Sequence, residues 1–177
     1  ESESRGLGDV YKRQLLCSTR EGYKNLIKLS SEVYINDHGE EQVSLDRVLE
    51  LNDGLICLSG GDGGIINNLF VDSQKKEANE IIKKIKSKFL DRFYIELQRT
   101  GLTNIESDLL ESAYSYEIPL VATNPSYFNT KEEYTAHDAL LCINQSTTVD
   151  ASDRFRLTSE FYFKTPAQMI ELFSDIP

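Results

Sequence analysis

Three short stretches carry the side chains with which this chain could do chemistry: SGGDGG (59–64), QRTG (98–101) and TNPSYF (123–128). Each follows an apolar run of strand character, and where strands are joined by helices the loops at their carboxyl ends are where chemistry collects. Metal-assisted phosphoester hydrolysis there would need several His, Asp, Glu or Cys side chains converging on a divalent ion. The loops supply few. Asp62 comes from the first and Arg99 from the second, and the third offers no ionisable group except Tyr127, with polar Asn124 and Pro125 beside it.

The histidines add little. His38 sits in NDHGEEQ, a charged turn with the character of an exposed connection, and His137 precedes Asp138 on a predicted helix, as a hydrogen-bonded packing residue or as a ligand. SGGDGG could cradle a phosphate, but it fits neither G-x-x-x-x-G-K-[ST] nor G-x-G-x-x-G, and a tight turn that needs glycine is the simpler reading. No G-x-S-x-G supports Ser59 as a nucleophile. Cys17, Cys57 and Cys142 are odd in number and far apart with no C-x-x-C, and Cys57 and Cys142 lie in apolar runs, so they read as buried reduced thiols. The lysines of KKEANEIIKKIKSK read as the solvated face of a helix.

Nineteen basic against twenty-nine acidic residues give a net charge of −10, which repels a phosphate backbone and argues against nucleic-acid binding by these residues alone. With 40% apolar residues, the 177-residue chain can bury a core the size of one domain. No run approaches the roughly 18 apolar residues of a membrane span, and the N-terminus lacks a signal peptide's apolar core. The expectation is a cytoplasmic protein with no membrane partner.

Residues 1–14 carry no helical or strand period and resemble a translated adapter, so they are expected to be a foreign, disordered segment preceding a domain at 15–177. Ser18 or Thr19 can cap an amphipathic helix through Val33, and Ser44 a short one bearing Leu45, Val48 and Leu49. Leu55 to Leu58 reads as a buried strand. Ala78, Ile81, Ile82, Ile85 and Phe89 predict a helix over 72–90, followed by the strand FYIELQ, a helix near 104–117, the strand IPLVAT and a helix near 131–144. FYF (161–163) reads as a short strand, and Thr165, Pro166 and Gln168 form a capping box. This alternation predicts an α/β fold with parallel strands and helical crossovers.

In order, GYKNLIKLSS, GLICLSGG, FYIELQRTG, IPLVATNPSYF, AHDALLCI and DRFRLTSEFYFKTPAQMIELFSDIP resemble the PHP (polymerase and histidinol phosphatase) domain of bacterial replicative DNA polymerase III alpha subunits. The resemblance covers residues 15–177. It implies the C-terminal part of a distorted (β/α)7 barrel, a fragment lacking the family's earlier H-x-H and D-H motifs and stopping before the polymerase palm, where nucleotide transfer and its Mg2+ belong.

Some members of that family bind a metal cluster and remove nucleotides from a 3′ end. Where they have Cys in an SGC turn this chain has Gly61, and where they have His after E-L-Q-x it has Thr100. Where they read T-N-D-x-H-Y, Pro125 replaces the aspartate and Tyr127 the histidine. None of the four substitutes is a good ligand for a divalent ion. ELQRTG and SGG look like the proteobacterial branch, in which the domain resembles a structural remnant and a separate subunit proofreads. The resemblance therefore implies no catalytic residue and no metal in this stretch. The partners it implies are the remainder of the alpha subunit, the proofreading exonuclease subunit, and DNA through the full-length protein. The alternative is a metal-dependent 3′–5′ exonuclease that uses upstream ligands with Asp62 or His137.

Overall fold

The computed structural model describes residues 14–35 and 43–176. His38 and residues 1–13 lie outside the described residues, and Gln14 opens the first strand. The chain divides into two compact units, one formed by residues up to 96 with 105–121, the other by 97–104 with residues from 122 onward.

Four strands, β1 (Gln14–Cys17), β2 (Leu55–Leu58), β3 (Phe93–Leu97) and β4 (Leu120–Ala122), lie side by side in the order β1-β2-β3-β4. β2 and β3 are parallel, with Cys57 opposite Phe93. The Ile95 N–H donates to the Pro119 carbonyl and the Thr123 N–H to the Leu97 carbonyl, a register that advances along both strands as in a parallel pair. β1, which the sequence pattern did not announce, runs antiparallel to β2, with Gln14 opposite Leu58. The fold is mixed α/β with a mostly parallel sheet and helical crossovers, as expected of part of a PHP barrel, and the sheet is open among the described residues.

The helices are α1 (Arg20–Ile35), α2 (Leu45–Glu50), α3 (Ile65–Val71), α4 (Lys75–Phe89), α5 (Glu106–Ser115), α6 (Tyr134–Asn144) and α7 (Pro166–Leu172). Thr19 caps α1 by accepting from the Gly22 N–H at 3.1 Å, and Ser44 caps α2 by accepting from the Arg47 N–H. Ala78, Ile82, Ile85 and Phe89 form the buried stripe of α4, and Leu55, Ile66, Phe93 and Ile95 are buried in the same unit's core. The second unit packs around Phe128, Leu157 and Phe161. Cys57 and Cys142 are buried thiols and Cys17 is exposed. FYF contributes an isolated parallel bridge, Tyr162 to Phe128, rather than a strand.

The helix expected over 72–90 starts later, at Lys75, because α3 ends just before it in a turn with no glycine. There the Gln74 N–H donates to the Leu69 carbonyl and the Ser73 N–H to the Phe70 carbonyl, a Schellman motif closed by Ser73 at φ 61°. α5 and α6 close the same way on Glu117 (φ 51°) and Ser146 (φ 52°). A left-handed residue with a Cβ is strained. Glu117→Gly is expected to raise unfolding stability by about 0.5–1 kcal/mol, the relief of that strain less glycine's greater freedom in the unfolded chain. Urea denaturation checks this, and an unchanged or lowered midpoint contradicts it.

Candidate functional site

The first candidate loop is built by the end of β2. The Ser59 N–H donates to the Tyr94 carbonyl at 3.1 Å, and the Glu96 N–H donates to Ser59 Oγ at 2.9 Å. The Gly60 N–H donates to the Glu96 carboxylate at 2.5 Å. This stitching turns the chain sharply through Gly60 (φ 101°) and Gly61 (φ 55°), left-handed conformations that glycine adopts without strain. A 3-10 turn over Gly61–Gly63 follows, and Asp62 lies half-buried on it. Glu96, which sequence reasoning passed over inside FYIELQ, is only 1% exposed. Its position on a strand that is buried on both faces was the available signal.

Arg99, Thr100, Asn124, Pro125, Tyr127 and His137 belong to the second unit. Thr100 is buried; its Oγ1 accepts from the Leu102 N–H, and its carbonyl accepts from the Thr158 hydroxyl. Arg99 grips the segment after α7. Its guanidinium donates to both Asp175 carboxylate oxygens, at 2.6 and 2.8 Å, and to the Leu172 carbonyl, with Phe173's ring 4.8 Å below it. The guanidinium holds the Asp175 carboxyl below its ordinary pKa.

The TNPSYF loop is organised by Asn124. Its amide donates to the Tyr162 carbonyl at 2.8 Å and to Ser126 Oγ at 3.1 Å, and its carbonyl oxygen accepts from the Lys164 ammonium at 3.0 Å. Pro125 is half-buried. Tyr127 lies half exposed, its ring centroid 5.8 Å from that of His137 and 5.6 Å from that of Phe161. His137, on α6, also packs on Phe128 at 5.3 Å, and its buried Nδ1 has no hydrogen-bond partner. Its neighbour Asp138 is the charged residue of consequence on α6. Two bonds of 2.6 Å join it to Arg154, whose side chain is 2% exposed, and this guanidinium holds Asp138 below the ordinary carboxylate pKa. Sequence reasoning singled out neither Arg154 nor Lys164, because neither lies in a loop following a strand.

The structure thus brings Asn124, Pro125, Tyr127 and His137 into one aromatic and amide-rich neighbourhood and commits Arg99 to Asp175. Taken one by one, Gly61 and Pro125 offer no side-chain ligand, Thr100 offers a neutral hydroxyl, and Tyr127 offers a phenol whose ring packs at a tilt on His137 and Phe161. Among the described residues, no three His, Cys, Asp or Glu side chains are grouped so as to hold a metal.

The family profile described as "PHP domain" matches residues 3–100. The DNA polymerase III subunit alpha of Caulobacter vibrioides is 42% identical over 92% of this chain, that of Vibrio cholerae 36% over 99%, and that of Pseudomonas aeruginosa 36% over 96%. The chain spans about 15% of the length of these relatives. A profile that covers more than half of the residues, on a fold of the matching class, makes this chain a member of the PHP domain family.

Proposed function

We propose that these residues form part of the PHP domain of a replicative DNA polymerase III alpha subunit and act as a metal-free structural module onto which the proofreading exonuclease subunit docks. The observation that carries the reading is the ligand chemistry at Gly61, Thr100, Pro125 and Tyr127, positions where the chain offers packing groups and turns in place of carboxylate, imidazole or thiolate. The similarity to polymerase alpha subunits over nearly the whole chain supports the parent protein. In this reading, DNA-directed nucleotide transfer and its Mg2+ belong to other parts of the polymerase, and the module contributes packing and a protein contact in the cytoplasm. No helix among the described residues is long and apolar enough to cross a membrane.

Elemental analysis of the full-length subunit, purified without chelator, is expected to find zinc, manganese and iron below stoichiometric amounts. In the same preparation, immobilised exonuclease subunit should retain the alpha chain. A tightly held ion would return the metal-dependent exonuclease reading, and failure of retention would remove the docking role.

A further inference from the structure

Lys164 is a charged side chain that the structure buries almost completely, with 2% of the side chain exposed. Its ammonium has three protons, and three oxygens of this chain surround it: the Asn124 amide oxygen at 3.0 Å, the Glu160 backbone carbonyl, and a Glu160 carboxylate oxygen at 3.5 Å. An amide oxygen, a backbone carbonyl and a carboxylate are the oxygen ligands that hard cations take. The Tyr162 ring adds its face, 4.2 Å from the nitrogen. Glu160 is held in turn by Lys131 at 2.6 Å, and Asn124 ties the cluster to the Tyr162 carbonyl and to Ser126.

We propose that this cluster is an oxygen-lined cation site that the chain fills with its own Lys164, a tethered cation that orders the 124–130 loop. It extends the metal-free reading of the module, since the charge is supplied by a residue and the loop then needs no bound ion. Two hydrogen bonds and an ion pair hold the ammonium within the chain, so the group is a cross-link. Burial pushes the ammonium pKa down while Glu160 opposes that shift, as a charge held by a partial set of counter-charges requires.

The proposal predicts a cation vacancy when the side chain is shortened. Lys164→Ala removes three methylenes and the ammonium, which together make one propylammonium ion. A cleft of about 470 Å³ lined by Glu160, Tyr162, Lys164, Gln168, Glu171 and Leu172 gives a solute of that size a way in. The readout is chymotryptic cleavage after the half-exposed Tyr127 in the full-length chain, followed by mass spectrometry of the fragments. Lys164→Ala should be cut there about tenfold faster than the wild type, as expected for a loop that has lost its cross-link. Propylammonium chloride should restore the wild-type rate, and sodium chloride at equal ionic strength should not. Lys164→Met keeps the stem and loses the charge; it guards against a variant that fails to fold, and should be cut fast with or without propylammonium. Wild-type cleavage rates in both variants, or propylammonium acting no better than sodium, would overturn the proposal. A metal found in the wild-type chain would overturn the metal-free reading instead, whatever the variants do.

Discussion

Asp138→Asn is expected to lower the melting temperature of this chain by about 10 °C, because it leaves a guanidinium buried without its counter-charge. Arg154 depends on that carboxylate. Its Nε is buried without a partner, and beyond Asp138 its guanidinium donates to the Val149 carbonyl. Arg154→Met with Asp138→Leu, which removes both charges, should recover most of the loss, since a buried ion pair costs far more to break than to replace. The pair also sets a pH dependence with a definite sign. The folded-state pKa of Asp138 is depressed, so its stabilising contribution is complete above the unfolded-state value near 4 and is lost as pH falls through the lower folded value. Melting temperatures from pH 7 down to pH 2 should therefore fall more steeply in the wild type than in Asp138→Asn. Parallel curves would sink the assignment.

Gly22→Ala is expected to cost about 3 kcal/mol, the upper range for forcing volume into a packed site. The first turn of α1 lies directly against the turn before β2. A Cβ on Gly22 would sit 1.9 Å from the Gly54 carbonyl oxygen and 2.4 Å from its carbon, both backbone atoms that cannot swing aside. That carbonyl already accepts from the Ser18 N–H and hydroxyl, each at 2.9 Å, and the Asn25 amide donates to the neighbouring Asp53 carbonyl at 3.0 Å. A methyl group would break this set together. Ser18→Ala, which removes one exposed bond, should cost about 1 kcal/mol or less. Guanidinium denaturation of both variants separates the cases, and equal midpoints would show that the backbone approach is looser than described.

The residues that made the fold legible are those whose physics is local. The stripe from Ala78 to Phe89 has one solution as a helix, LICL has one as a buried strand, and Thr165, Pro166 and Gln168 write their capping box in four letters. Helix ends were legible only where such caps stood. Ser73, Glu117 and Ser146 close Schellman motifs without glycine, so nothing in the sequence marked the break between α3 and α4. β1 went unseen because a four-residue edge strand with mostly exposed side chains shows no alternation and only three apolar residues in a row. In the candidate site, the residue types at Gly61, Thr100, Pro125 and Tyr127 could be read directly. Asp175, Tyr162, Lys164 and Arg154, the distant partners of Arg99, Asn124 and Asp138, could not, because each lies between 16 and 76 residues away along the chain.

α7 has no buried residue. Its first turn is closed on itself by the Thr165–Gln168 capping box, and its far end is held by the grip of Arg99 on Leu172 and Asp175. A helix secured by directed polar bonds gives up little apolar surface when it lifts away, and apolar surface is what sets both the heat capacity of an opening and its response to denaturant. Its release is therefore an event of small ΔCp and small m-value. Hydrogen exchange at the amides of α7 should hardly accelerate in dilute urea and should respond to salt, which weakens the half-exposed Arg99–Asp175 pair. The fastening of α7 is thus governed by ionic strength, while the core around Phe128, Leu157 and Phe161 answers to heat and denaturant.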